Sequence, residues 1–400
     1  MLTRSPVRGR NLLGVLILCA VTLVPQATVD AASPIDAGTA RGNDTLPRGA
    51  IAFLLHGKGV RYLALTSLDG RNVRLIRVPK PMKSRASDSI AFSPDGKTVS
   101  LFSGGKLVVV GVVSGRVKRV LSTRELGPGA LTANLSPNGR FVAVVHKLLN
   151  KYCRGPTWIS IRAENGRTTR LKALPPAARA SANRTVVIED TSWSPDSRRL
   201  TYTVRLFGDP YECRDDYQVG SFLFQESVTG KGRLELRHTN QMVWSPAWSP
   251  DGSLVAYREG IWDDNLFIVH PDGSQRRRLT NFPSGRGYTW ELPFAWSPTG
   301  RIVAANRGAP PGDQSAPGTI GLYEIDPANR TERRFSTLRY GGLYAVSHDG
   351  RVAALAPDHG IRVTLVSIAD GKVLRELRLL SPRRSLQLKS FDPVAVSLFP

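Results

Sequence analysis

Trp248-Ser249-Pro250-Asp251-Gly252, followed by Leu254-Val255-Ala256-Tyr257, reads as a tight turn that feeds an apolar strand. Pro250 pre-sets φ at the second turn position, Asp251 tolerates the third, and Gly252 accepts a positive φ. The phrase recurs as Phe92-Ser93-Pro94-Asp95-Gly96, Leu135-Ser136-Pro137-Asn138-Gly139, Trp193-Ser194-Pro195-Asp196-Ser197, Trp296-Ser297-Pro298-Thr299-Gly300 and Val346-Ser347-His348-Asp349-Gly350. Its serines stand 43, 58, 55, 48 and 50 residues apart. A second turn series runs out of phase with the first: Asp69-Gly70, Ser114-Gly115, Asn165-Gly166, Thr229-Gly230, Asp272-Gly273, Ala328-Asn329 and Asp370-Gly371. These are hairpin turns, each after a largely apolar strand such as Leu107-Val108-Val109-Val110.

Each unit therefore contains four strands, one on either side of each turn. Such units cannot bury both faces alone, and they are stable when arranged radially, each twisted sheet covering the next. The fold class is all-β, a single β-propeller of four-stranded blades. The Phe, Leu or Trp before Ser-Pro is then core between neighbouring blades. Seven blades are preferred and six are the alternative. Six Ser-Pro phrases count six units, but the strands at Ile51-Ala52-Phe53-Leu54, Tyr62-Leu63-Ala64-Leu65 and Val73-Arg74-Leu75-Ile76 precede the first phrase and lack an innermost partner. The tail at 386–396, with Phe391-Asp392-Pro393, can supply that partner and leave no free edge.

Composition agrees with this architecture. The 400 residues are 41% hydrophobic and 8% aromatic, enough apolar matter for a large core and incompatible with disorder of the whole chain. Gly and Pro, 37 and 28 residues, favour many turns over long helices. Lys and Arg total 55 against 32 Asp and Glu, a formal net charge of +23, which excludes a neutral surface.

At the N-terminus Arg4, Arg8 and Arg10 precede an uncharged apolar run at 12–24, and Ala31 and Ala32 follow. That order is a secretory signal peptide, with cleavage expected near Ala31 and an uncleaved anchor as the alternative. The run is shorter than the roughly 20 residues a membrane-spanning helix needs. Cleavage removes three Arg and one Asp, and 23 − 2 leaves +21. The expected organisation is a signal peptide at 1–31, a flexible linker at 32–49 and the propeller at 50–400, in the periplasm or outside the cell.

Trp248-Ser249-Pro250-Asp251-Gly252 and His270-Pro271-Asp272-Gly273, the latter followed by Arg278-Leu279-Thr280, resemble the WD-like propeller repeat of the TolB family. The resemblance covers roughly 50–400. It implies a propeller fold and little about activity, because the repeated residues are turn and core positions. That family includes periplasmic protein-binding propellers and the propeller domains of prolyl-oligopeptidase-like peptidases. This chain is expected to lack a hydrolase domain, since it ends soon after its last repeat.

The short turns fall on one rim of such a ring, and the long segments at 148–156, 206–217, 259–265 and 307–317 fall on the other, where binding residues are more often carried. Residues 189–291 hold 15 acidic side chains against 12 Lys and Arg. Asp215, Asp216, Trp262, Asp263, Asp264, Tyr288, Trp290 and Glu291 are the ligand-binding candidates, a polar cleft with aromatic walls. Polar surface loops and rim-filling aromatics are the plainer reading of the same residues. No G-x-S-x-G, H-E-x-x-H, C-x-x-C or glycine-rich phosphate loop is present, so no catalytic residue, metal or cofactor is assigned. Arg276-Arg277-Arg278 reads as a solvated strand edge or a contact for an anionic polymer.

Two functions follow as expectations. The first is an exported, non-catalytic, monomeric propeller binding an envelope protein or an anionic polymer, with no regulatory nucleic-acid role and no membrane span after cleavage. The second is a propeller enzyme, a hydrolase or lyase of sugars or lactones, with its site at the channel mouth. Cys153 and Cys213 lie between the second and third strands of consecutive units. Equivalent loops of neighbouring blades lie side by side, so a disulfide is expected there, worth about 2 to 4 kcal/mol. Non-reducing peptide mapping of the exported protein should recover Cys153 and Cys213 in one cross-linked peptide; two free thiols would refute the bond.

Overall fold

The structure, a computed structural model, describes residues 49–57, 60–67, 73–78, 89–93, 95–148, 156–171, 174, 185–207, 218–260, 265–281, 294–308, 319–338, 342–347, 350–356, 362–378 and 391–398. They form an all-β propeller of four-stranded antiparallel sheets. Six sheets are each made from one continuous stretch of chain, as the six Ser-Pro phrases count them. They are β4–β7, β8–β11, β12–β15, β16–β19, β20–β23 and β24–β27, which begin at Ser89, Ala130, Thr185, Met242, Phe294 and Gly342. The remaining sheet is composite: β28 (Phe391–Leu398) pairs with β1 (Gly49–Gly57), followed by β2 (Val60–Ser67) and β3 (Val73–Val78). The pairing of β28 with β1 runs from Gly49↔Leu398 to Leu55↔Phe391, the closing role expected of the tail.

The innermost strands touch in cyclic order. β28 contacts both β4 (Ser89–Phe92) and β24 (Gly342–Val346), β12 (Thr185–Trp193) contacts β16 (Met242–Trp248), and β16 and β24 each contact β20 (Phe294–Trp296). Each sheet covers its neighbour through alternating residues. Leu200, Tyr202, Val204 and Leu206 of β13 (Arg199–Phe207) meet Ala143, Val145, Ile159 and Ile161 of the preceding sheet, all nearly inaccessible to solvent.

The turn serines hold each inner turn. Ser249 Oγ donates to Asp251 Oδ1 at 2.6 Å and accepts the Leu254 amide at 2.9 Å. Ser93, Ser136 and Ser194 make the same pair of bonds with their third and sixth positions. Each such Ser adds side-chain bonds to a turn that the main chain also closes, the Ser249 amide donating to the Leu254 carbonyl at 2.9 Å. Two of the three tryptophans before the phrase join neighbouring sheets by hydrogen bonds: Trp193 Nε1 donates to the Asn134 carbonyl at 3.1 Å and Trp296 Nε1 to that of Ala247 at 3.0 Å.

Arg276, Arg277 and Arg278 lie at the outermost strand of their sheet, β19 (Arg277–Arg278), but they are not simply a solvated edge. Arg276 bonds Tyr257 and Glu259, Arg277 donates to the Pro327 carbonyl at 2.6 Å, and Arg278 to that of Thr280. The link from Arg277 crosses to the outer turn of the next sheet. Two others repeat it: Arg74 bonds the Val113 carbonyl, and Arg333 those of Ile368 and Ala369.

Replacing Ser249 by Ala strands the Leu254 amide and leaves Asp251 Oδ1 with the Ser253 amide alone. Equilibrium unfolding should show a loss of about 1–3 kcal/mol. Ser253→Ala, which removes only an exposed bond to Asp251, should stay within about 0.5 kcal/mol.

Candidate functional site

The strands that lead into the long loops define the floor of one rim. β9 (Phe141–Lys147), β13 and β17 (Val255–Gly260) end there, and β10 (Thr157–Ala163), β14 (Gln218–Ser227) and β18 (Asn265–Val269) begin there. Asp215, Asp216, Trp262, Asp263, Asp264, Tyr288, Trp290 and Glu291, with Cys153 and Cys213, all lie outside the described residues. The described floor carries charged groups of its own.

Within β12 (Thr185–Trp193) the register against β13 shifts between Ile188 and Thr191, so Glu189 and Asp190 occupy a bulge on an innermost strand. A bulge re-aims side chains that strict alternation would send to opposite faces. Glu189 pairs with Arg205 of β13. Asp190 accepts the Ser245 amide of β16 (Met242–Trp248) at 2.7 Å, where Ser245 has a φ of 51° and stands in that strand's own bulge. Burial raises the Asp190 carboxyl above the ordinary aspartate range, against the opposing effects of the Ser245 amide and the Arg205 charge. The floor thus sets a carboxylate paired with an arginine beside one whose pKa burial raises.

Glu259, near the end of β17, is 3% exposed at its side chain. Arg237, from the outermost strand of the preceding sheet, donates its Nε to it at 2.9 Å, and Arg276 adds a second bond at 2.8 Å. Burial opposes ionisation of Glu259, but the two guanidinium groups outweigh it and hold the carboxyl below its ordinary range. Arg276 also bonds the Tyr257 hydroxyl at 2.8 Å, and burial pushes that phenol up to about 12. Arg258, 1% exposed, points to the opposite face and donates to the Ala305 carbonyl of the next sheet at 3.3 Å.

His146, at the foot of the loop that contains Cys153, is also buried. Its Nδ1 faces the Pro128 carbonyl at 2.9 Å and therefore carries the proton, leaving Nε2 to accept from Ser160 Oγ at 2.7 Å. Burial lowers its pKa, and Trp158 stacks on the ring at 4.7 Å. Among the described residues no group of three or more His, Cys, Asp or Glu is placed to hold a metal ion. The floor residues escaped the sequence reading because it weighed loops over strands. Arg258-Glu259 after Val255-Ala256-Tyr257, and Glu189-Asp190 after Val186-Val187-Ile188, are charged pairs that continue apolar runs.

No family model matches the chain. An uncharacterized peptidase of Bacillus subtilis, YuxL, is 27% identical over 195 residues, which is 47% of this chain and 26% of the relative. The chain thus spans about a quarter of that relative's length. A solved oligogalacturonate lyase in complex with manganese is similar over 82% of this chain and 89% of its own, with a TM-score of 0.55 and 14% identity. A TolB structure from Agrobacterium tumefaciens is similar over 73% and 90%, with a TM-score of 0.42 and 18% identity. At 14% identity the likeness to the lyase describes the fold alone.

Glu259→Leu leaves Arg237 and Arg276 without their carboxylate and should cost about 3–5 kcal/mol in urea unfolding. The native Glu259 carboxyl titrates below the 4.5 of an unperturbed glutamate. Its contribution is therefore whole above that value and disappears as the pH falls through the lower folded-state value. Glu259→Gln should flatten this acid limb; an unchanged acid limb would contradict the assignment.

Proposed function

We propose that the protein is an exported, non-catalytic β-propeller that binds a protein or an anionic component of the cell envelope. Residues 1–31 act as the signal peptide, 32–49 as a linker and 50–400 as the binding ring, a monomer carrying +21 after processing. The observation that carries this reading is the use made of the carboxylates on the mouth floor. Glu189 binds an arginine of the next strand in its own sheet, whereas Asp190 and Glu259 bind a main-chain amide and an arginine of neighbouring sheets, so all three are taken up by the framework. Cations exceed anions widely over the chain, which favours an anionic partner by long-range attraction. The loop residues Asp215, Asp216, Trp262, Asp263, Asp264, Tyr288, Trp290 and Glu291 are proposed as the part that selects the partner. The likeness to a TolB structure is compatible with an envelope location, and among the described residues no helix is long and apolar enough to cross a membrane.

Asp190 favours a second reading. A buried carboxyl raised above the ordinary aspartate range, beside a Glu189 paired with Arg205, offers the contrast of environments that acid-base chemistry uses, and it stands on an innermost strand. In that case the protein is a hydrolase or lyase of sugars or lactones, and Asp190→Asn abolishes turnover while preserving the bond from Ser245.

Binding of the exported protein to isolated envelope material should weaken by at least about tenfold as sodium chloride rises from about 50 to about 500 mM, because exposed charges are screened over only about 8 Å at physiological ionic strength. Salt-insensitive capture would refute a charge-led partner, and turnover of an oligosaccharide that Asp190→Asn eliminates would replace this reading with the enzymatic one.

A further inference from the structure

The residue after each turn glycine follows a rule: with two exceptions it is a cation. On the inner turns that position holds Lys97, Arg140, Arg198, Arg301 and Arg351; on the outer turns it holds Arg116, Arg167, Lys231, Arg330 and Lys372. (Ser197 and Asn329 stand in for glycine in two of these turns.) Arg71 holds the equivalent place in the sequence, outside the described residues. The exceptions, Ser253 and Ser274, both belong to the sheet β16–β19. Polarity alone does not produce this pattern, since Ser, Thr, Asn and Gln satisfy an exposed turn equally well.

The fold sets these positions in register. The carbonyls of Lys97, Arg140, Arg198 and Arg351 accept from Val112, Glu164, Val228 and Ile368, each just beyond the third strand of the same sheet, at 2.7–3.0 Å. All but Arg301, which is 44% exposed at its side chain, are exposed residues. Inner turns abut around the ring: the Asn138 amide donates to Ser197 Oγ at 3.1 Å, and a Cβ on Gly350 would lie 2.8 Å from that of Ser297. The short-turn face is therefore continuous, with an inner and an outer arc of cations open at one sheet.

Acidic residues share this face, and Asp95 and Asp370 form ion pairs with Lys97 and Lys372. The turn carboxylates fold back, however: Asp95, Asp196, Asp251 and Asp272 each accept from an amide two residues on. Lys and Arg extend further from the backbone and dominate what an approaching surface meets. Val113, 82% exposed, stands on the same face.

We infer that this face lies flat on a bilayer containing anionic lipid, with the arcs of cations against headgroup phosphates and Val113 at the interface. This rests on the reading of the protein as a binder of anionic envelope material and names the face and the partner. A threadlike polyanion could engage only part of two concentric arcs, whereas a planar anionic surface meets both at once.

Co-sedimentation with vesicles of about one-third phosphatidylglycerol in phosphatidylcholine tests it. The variant K97Q/R140Q/R198Q/R351Q should bind on the order of a hundredfold more weakly than the native protein, with its thermal midpoint retained. R124Q/R170Q/R278Q/R334Q, which removes the same charge from outside this face, should stay within about threefold. Equal losses in the two variants would overturn the assignment of the face. A native protein that captures envelope material but ignores the vesicles would overturn the lipid partner and leave the broader reading standing; failure of both would refute both.

Discussion

Closure of the ring is the constraint on which the other contacts depend. Clusters of buried apolar side chains join each sheet to the next from the composite sheet round to β24–β27, and β28 meets β24 at the remaining seam, so the ring holds only while that seam is closed. The contacts of Ala50, Ala52, Leu63 and Leu65 with Val99, Leu101, Val108 and Val110 are one such interface. The pairing of β1 with β28 prevents this opening, and Pro393 falls where the register shifts between Ala52↔Ala395 and Leu54↔Asp392. A residue without an amide hydrogen is tolerated at such a shift, because the ladder is already interrupted there.

The turn phrases made the fold legible because proline and glycine restrict φ locally and leave a mark in any sequence. What the serines do was less visible. Ser249 reads as one more polar turn residue, yet its hydroxyl bonds a side chain two positions on and an amide five positions on. Arginines were harder still. Arg276-Arg277-Arg278 has the composition of a solvated edge, and only the placement of the next sheet's turn beside it shows that Arg277 has a carbonyl to bond. A contact between residues 50 apart, set by the approach of two sheets, has no local signature.

The candidate site was legible to a smaller extent. Loop length and acidic composition located a face, but its chosen residues lie outside the described ones, whereas the strands below them hold charges that the reading left out. Glu259 shows why. Its position in a strand that is buried along its full length would disfavour an acid, unless partners arrive from elsewhere. Arg237 comes from another sheet and Arg276 from across a hairpin. Part of the chain's large excess of arginine is thus structural, joining sheets through carbonyls and buried carboxylates.

The composite sheet also imposes an order in time. A chain made from its N-terminus presents β1 long before β28 exists, and at about 5–20 residues per second the interval is on the order of tens of seconds. Throughout it β1 has an open edge and the contiguous sheets can stack only as an arc. Strand β28 therefore behaves as a latch: the last described strand to be made is the one that turns a stack of sheets into a ring. A chain cut short before it would keep its turns and most of its sheets, and would be distinguishable to a protease by one unpaired strand.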